Sequence, residues 1–345
     1  MRWNNLYVAG LGSYLPPQVE TAEEAVAAGR YDSRESVTNG IRQVRVADDT
    51  ETGPVMAARA GREAVRRAGL EGGGIDLVLH AYVGHQGQEL WTPASYVQAE
   101  TVGGNAPAIE IRQGSNGGLA AVETAASHLA ARPDAGAALV TTGDAFRLPY
   151  FDRWSSDRQQ PHGDGAGALV LSSRAGFARV LSSASYSAPA LEPLYRGAAW
   201  TDAPFHDGKP VELGNRQHAF LMREENSYEQ VGEQIGEGSR TVLDRALADA
   251  GIALDDAQFF IHPNVAESVV EYSFYQYGLG VDRSRTVYDW AQDFGHMGAG
   301  DEIIGLHHLV ESRRPRPGDL AIAMGVGAGF VWTVLVLEFL DVPHW

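Results

Sequence analysis

The 345-residue chain is 44% hydrophobic and 21% charged, with a formal charge of −17. Its length suffices for two core-bearing lobes, no apolar run approaches the roughly 18–20 residues of a membrane-spanning helix, and MRWNNLYVAGLGSYLPP lacks the charged-then-apolar pattern of a secretion signal; a cytoplasmic protein is expected. The acidity argues against nucleic-acid and anionic-membrane partners, though not against a local basic pocket, and the absence of cysteine removes disulfides, thiolate metal sites and thiol catalysis.

In chain order, the first clear unit is ARAGREAVRRAGLEGGGIDLVLH at 58–80, a helical pattern stopped by Gly69 and followed by a buried strand ending at His80. Next comes IEIRQGSNGG at 109–118, in which an apolar strand breaks at Gly114 and Ser115 precedes an alanine-rich helical run. That run, a Pro/Gly turn and a second apolar strand complete 114–145. Residues 146–163, rich in Arg, Asp, Gln and Trp, read as an insertion before HGDGAGALVL, and 181–228, with several prolines and tyrosines, as an irregular connection. The stretch RTVLDRALADAGIALDDAQFFIH at 240–262 then repeats the first unit, with Gly251 and His262 in the places of Gly69 and His80.

The two copies share one offset. Gly69 and Gly251 lie 182 residues apart, as do His80 and His262, and Gly143 and Gly325. GHMGAGDEIIGLHHLVESRRPRPGDLAIAMGVGA at 295–328 is the counterpart of 114–145, so Ser115 and His296 are 181 apart, one residue out of register. Such a duplication of strand–helix–strand units with near-continuous apolar strands predicts an α/β fold of two doubly covered halves about a pseudo-two-fold axis. We place the amino-terminal half at 1–175, the connection at 176–228 and the carboxyl-terminal half at 229–345. The symmetry sets Ser115 and His296 at equivalent helix starts, and His262 at a strand's carboxyl end, where α/β sites form.

Each candidate has a plainer reading beside the chemical one. Ser115 is either a helix N-cap or a nucleophile; a serine nucleophile needs a base, and a helix start favours an oxyanion. The near match to G-x-S-x-G fails because Gln113 holds the first glycine's place. His296 is a surface histidine or that base, and Asp301, five residues on, is a first-turn carboxylate or the group that orients the imidazole. His262 is a buried histidine bonded to a backbone carbonyl, as His80 is expected to be, or part of the site. His307 and His308 point different ways on a helix, so no metal site is expected. Arg62, Arg66 and Arg67 are an exposed basic cluster or a solvated helix face.

Six segments taken together resemble one family: VAGLGSYLPP, RQGSNGGLAAVE, HGDGAGALVL, FIHPN, FGHMGAG and GAGFVW. Over nearly the whole chain the sequence is similar to the ketoacyl synthase III-like (FabH-type) branch of the thiolase superfamily. The resemblance implies a five-layered αβαβα thiolase fold, a homodimer, and coenzyme A or acyl-carrier-protein thioesters as substrates with no permanently bound cofactor. It implies a site at Ser115, His262 and His296, with an oxyanion hole from the backbone N–H groups of Ser115 and Ala328. His262 would bond the thioester carbonyl or share the acid/base work. Two positions depart from the family: Ser115 stands where a cysteine is expected and His296 where an asparagine is. Both departures resemble a subset from bacterial polyketide pathways that work as acyltransferases or starter-unit enzymes. Acyl transfer through acyl-Ser115 to a hydroxyl or amine is the first expectation. Decarboxylative priming of a polyketide chain, thioester hydrolysis and an inactive partner-binding homologue follow.

Overall fold

The apolar runs become strands with most of their residues buried, joined by helices that cover both faces. The computed structural model describes residues 1–71, 73–201, 207–223 and 226–345. Its strands are β1 (Tyr7–Tyr14), β2 (Gln18–Thr21), β3 (Gln43–Val46), β4 (Leu77–Ala81), β5 (Ala108–Ile111), β6 (Ala137–Asp144), β7 (Gly165–Ser172), β8 (Ala178–Ser187), β9 (Phe259–Ile261), β10 (Leu320–Gly327) and β11 (Val331–Phe339). β2 and β3 form a separate antiparallel pair, and the others run in the order β5-β4-β6-β7-β1-β8-β11-β10-β9.

Apart from the edge strand β5, which has no counterpart, that order reads the same from both ends, β4-β6-β7-β1 against β9-β10-β11-β8. In the first half β4 is parallel to β5 and β6, and β7 is antiparallel to β6 and β1. In the second, β9 is parallel to β10, and β11 is antiparallel to β10 and β8. Between the halves β1 pairs with β8 at Tyr7↔Arg179 and Val8↔Ala178, and an isolated bridge joins Arg2 to Ser182. Helices Gly53–Arg67 and Pro93–Thr101 cover the outer face of the first half, and Tyr228–Ala250 that of the second. Between the halves lie Gly117–Ala131 and Asp301–Glu311, each touching strands of both. The five layers and the pseudo-two-fold of the thiolase fold follow directly.

Local signals account for these elements. Ser227 caps the long helix Tyr228–Ala250 with a capping box to Gln230, and Gly251 ends it in the left-handed conformation. The central helix Gly117–Ala131 buries a seam of Gly117, Gly118, Ala121, Val122 and Ala125. Its small residues set the spacing of the middle layer: a β-carbon on Gly118 would lie 2.4 Å from the carbonyl oxygen of Ala299.

Three expectations are corrected. The region read as an irregular connection opens with a regular ten-residue strand, β8, and contains the helices Pro193–Arg196 and Leu213–Leu221. Its residues 202–206, 224 and 225 lie outside the described residues. The arginine cluster is not one exposed patch: Arg67 is mostly buried (side chain 8% exposed) and paired with Glu63 and Glu311, while Arg62 pairs with Glu100. His80 bonds not a carbonyl of the main chain but Thr141 Oγ1 at 3.0 Å and Gln86 Oε1 at 3.1 Å.

Gly118→Ala is expected to push the helix start away from Ala299 and to cost roughly 1–3 kcal/mol, as overpacking of a filled interior does. Chemical denaturation measures it; unchanged stability would refute the contact.

Candidate active site

The turn after β5 carries Ser115. Gly114 adopts φ +57, and a side chain there would meet the amide nitrogen of Ala328 at 2.6 Å. Asn116, not Ser115, is the residue before the first helical position, which leaves the serine hydroxyl free for another partner. That partner is His296: Ser115 Oγ lies 2.7 Å from His296 Nε2. His296 Nδ1 lies 2.6 Å from Asp301 Oδ2. A carboxylate can only accept, so Nδ1 carries the proton and Nε2 is left to accept from the serine hydroxyl.

Each member is held by a different part of the chain. The backbone N–H of His296 donates to Pro161 O at 2.9 Å, and Gly163 N–H donates to His296 O at 3.0 Å. The end of the 146–163 insertion therefore fixes the histidine's main chain. Asp301 begins the helix Asp301–Glu311, and besides His296 it accepts from Asn264 N–H at 2.7 Å and Met297 N–H at 2.8 Å. The FIHPN segment thus reaches the site through Asn264. Serine, histidine and aspartate form one continuous hydrogen-bonded chain, with His296 2% and Asp301 1% exposed.

His262 is nearby but turned elsewhere. Its Nδ1 donates to Pro263 O at 2.9 Å, and its Nε2 lies 2.9 Å from Tyr275 Oη. The ring stacks on Phe274 at 4.8 Å. Burial pulls its pKa down to about 4, so it is a neutral imidazole with both nitrogens engaged.

The electrostatics of His296 are a contest. Burial disfavours the imidazolium, but Asp301, then Asp157 and Asp144, outweigh it and hold His296 above the ordinary histidine value. His162, whose ring meets that of His296 edge-on at 5.0 Å, goes the other way: burial and then the charge of His296 press it well below that value. Asp144 accepts from Val83, Gly84 and Ala299 N–H at 2.7–3.1 Å, yet burial still pushes it up to about 6. Asp157, also buried, is pushed up to about 6.

Sequence reasoning passed over Asp144, Asp157 and Glu302. Asp144 ends β6, a carboxyl strand end and so a legible signal; Asp157 lies in an insertion with no pattern, and Glu302 is masked by its neighbour Asp301. His307 bonds Ser13 and Arg67, and His308 stacks on Trp290 at 3.9 Å. A cleft of about 810 Å³ lined by Trp154, Ser156, Arg158, Lys209 and Arg216 among others lies to one side; Ser115, His296 and Asp301 do not line it.

Residues 247–339 match the family described as 3-oxoacyl-[acyl-carrier-protein] synthase III, C terminal. The chain is 26% identical over 335 residues to the beta-ketoacyl-[acyl-carrier-protein] synthase III of Rhizorhabdus wittichii, covering 96% of this chain and 98% of that one. It is 25% identical over 339 residues to the Trichormus variabilis synthase of the same name, covering 96% and 97%. Among solved structures it is similar to ChlB3, described as an acyltransferase, with a TM-score of 0.90, 33% identity, and 97% and 98% coverage. FabH from Pseudomonas aeruginosa PAO1 shares the fold at a TM-score of 0.76 and 24% identity, covering 98% and 99%. With the duplicated architecture and whole-length similarity together, the chain belongs to the ketoacyl synthase III-like branch of the thiolase superfamily.

Proposed function

We propose that the protein is an acyltransferase of secondary metabolism that moves an acyl group from a coenzyme A or acyl-carrier-protein thioester, through an ester on Ser115, to a hydroxyl or amine. The observation that carries this reading is the unbroken chain Ser115–His296–Asp301. His296 Nε2 takes the hydroxyl proton as Ser115 Oγ attacks the thioester carbonyl, then returns it to the departing thiolate. In the second half-reaction it takes the proton of the acceptor and gives it to Ser115 Oγ as the ester breaks. Asp301 holds the tautomer and offsets the imidazolium charge.

The oxyanion would be held by the N–H groups of Ser115 and Ala328. The closeness of Ala328 N to Gly114 supports that pairing, and removing one such donor costs about 3–4 kcal/mol in comparable enzymes. The start of the Gly117–Ala131 helix adds a favourable dipole. In this reading His262 serves as a buried neutral wall, and its neighbour Asn264 anchors Asp301. Decarboxylative condensation is the weaker alternative, because the His262 Nδ1–H is engaged by Pro263 O and the unprotonated Nε2 accepts from Tyr275, which leaves no His262 donor for the enolate oxygen. Similarity to ChlB3, described as an acyltransferase, supports transfer. β5, an edge strand with Ile109 48% exposed, is our candidate for pairing across a homodimer.

Intact-protein mass spectrometry after incubation with a panel of acyl thioesters should reveal an adduct on the wild type and none on Ser115→Ala. No adduct and no turnover with any donor would sink the reading. Carbon dioxide release from a malonyl donor would favour condensation, and loss of the adduct to water alone would favour hydrolysis.

The acylation rate should rise with pH through a midpoint above the ordinary histidine value of about 6.5, because only neutral His296 can act as base. In Asp301→Asn that midpoint should fall and the rate drop by up to about 10⁴-fold. Stopped-flow pH profiles of both proteins check this; an unmoved midpoint would separate Asp301 from the base.

A further inference from the structure

Each half of the site contributes a second buried polar residue directly after its first: Asn116 after Ser115 and Glu302 after Asp301. Asn116 is 0% and Glu302 1% exposed. The amide group of Asn116 donates to Gln113 Oε1 at 2.8 Å and to Thr333 Oγ1 at 2.9 Å, which uses both of its hydrogens. Its Oδ1 and both carboxyl oxygens of Glu302 have no hydrogen-bond partner among the described residues. Asn116 Oδ1 and Glu302 Oε1 border one spot on β10. A β-carbon on Gly325 would lie 2.8 Å from Asn116 Oδ1 and 3.4 Å from Glu302 Oε1, so both oxygens border the space that its absent side chain leaves.

An ionised Glu302 here would be a buried anion with no donor beyond its own backbone N–H, beside Asp301 and near the unpartnered oxygen of Asn116. Burial, reinforced by the Asp301 charge, raises its pKa well above the usual carboxylate range and outweighs the backbone's preference for the anion. A neutral carboxyl supplies what the spot lacks. It has one O–H to donate, and Asn116 has one unused acceptor.

We propose that Glu302 is a positioning residue whose carboxyl O–H donates to Asn116 Oδ1, locking the nucleophile turn to the helix that carries Asp301. The short covalent paths from Asn116 to Ser115 and from Glu302 to Asp301 make this one bond a clamp on the ends of the Ser115–His296–Asp301 chain. Only the kinetic consequence rests on the reading of Ser115 as the acylated group; the hydrogen bond itself does not.

The test uses the full chain with Glu302→Gln, Glu302→Leu, Asn116→Leu and the Glu302→Leu/Asn116→Leu pair. Infrared spectra at neutral pH should contain a protonated carboxylic-acid band that disappears in Glu302→Gln, a variant that keeps a donor and its shape. With p-nitrophenyl acetate as acyl donor, Glu302→Leu should slow burst acylation by about 10–100-fold, the scale of a small misplacement, with half-saturation little changed. Glu302→Gln should recover most of that loss, which a merely space-filling role would not require. The double variant should lose less thermal stability than the two singles together. An ionised Glu302 in the spectra, additive stability losses, or a Glu302→Gln no better than Glu302→Leu would each overturn the proposal. If the wild type gives no burst at all, the acyl-Ser115 reading fails, while the infrared band and the stability cycle still decide the bond. Should the leucine variants not fold, the wild-type and Glu302→Gln spectra decide it.

Discussion

The distance between two helix starts at the centre of the molecule is the constraint on which the site depends. Gly118 lies so close to Ala299 that a single methyl group would meet its carbonyl oxygen. Asp144, from the end of β6, accepts the N–H of Ala299 and pins the second start to the first half of the sheet. With the starts held there, Ser115 and His296 meet at hydrogen-bonding distance although 181 residues separate them. Interiors are close-packed and transmit small displacements, so a seam of glycine and alanine in the middle layer is also a device for aligning side chains.

Charge at the site is kept scarce. Asp301 satisfies its carboxylate with three donors, two of them backbone N–H groups from Asn264 and Met297. The pairing lets His296 carry a proton in a place that burial alone would forbid. Neighbouring titratable groups are pressed towards neutrality: His162 and His262 below the usual histidine range, Asp144 and Asp157 up to about 6. Opposed shifts among neighbouring titratable groups are a feature of functional sites.

The duplication was legible because hydrophobic period and helix stops are local properties, repeated here at one offset. Ser115 and His296 could be picked out as companions from that symmetry, and Asp301 from its place five residues after His296. β8 was not, for a physical reason. Its sequence ARVLSSASYS is polar at the centre, yet Ser182 is fully buried with its hydroxyl donating to Ala246 O at 2.7 Å, and Ser183 is buried with its hydroxyl on Glu123. Serine hides a buried strand when distant acceptors satisfy its hydroxyl. Arg67 misled in the opposite sense: a charge on a helix face looks exposed until Glu63 and Glu311 close over it.

The sequence by itself determined the two α/β halves, their helix ends and the turn that presents Ser115, since propensity, capping and periodicity act over a few residues. Only the tertiary structure decided which nitrogen of each histidine faces which partner. It turned His262 onto Tyr275 and His296 onto Ser115, and it brought Asn116 Oδ1 and Glu302 Oε1 to the bare face of Gly325. Hydrogen-bond direction and the cost of burying charge depend on everything that surrounds a group in space, and that surrounding is assembled from segments far apart in the chain.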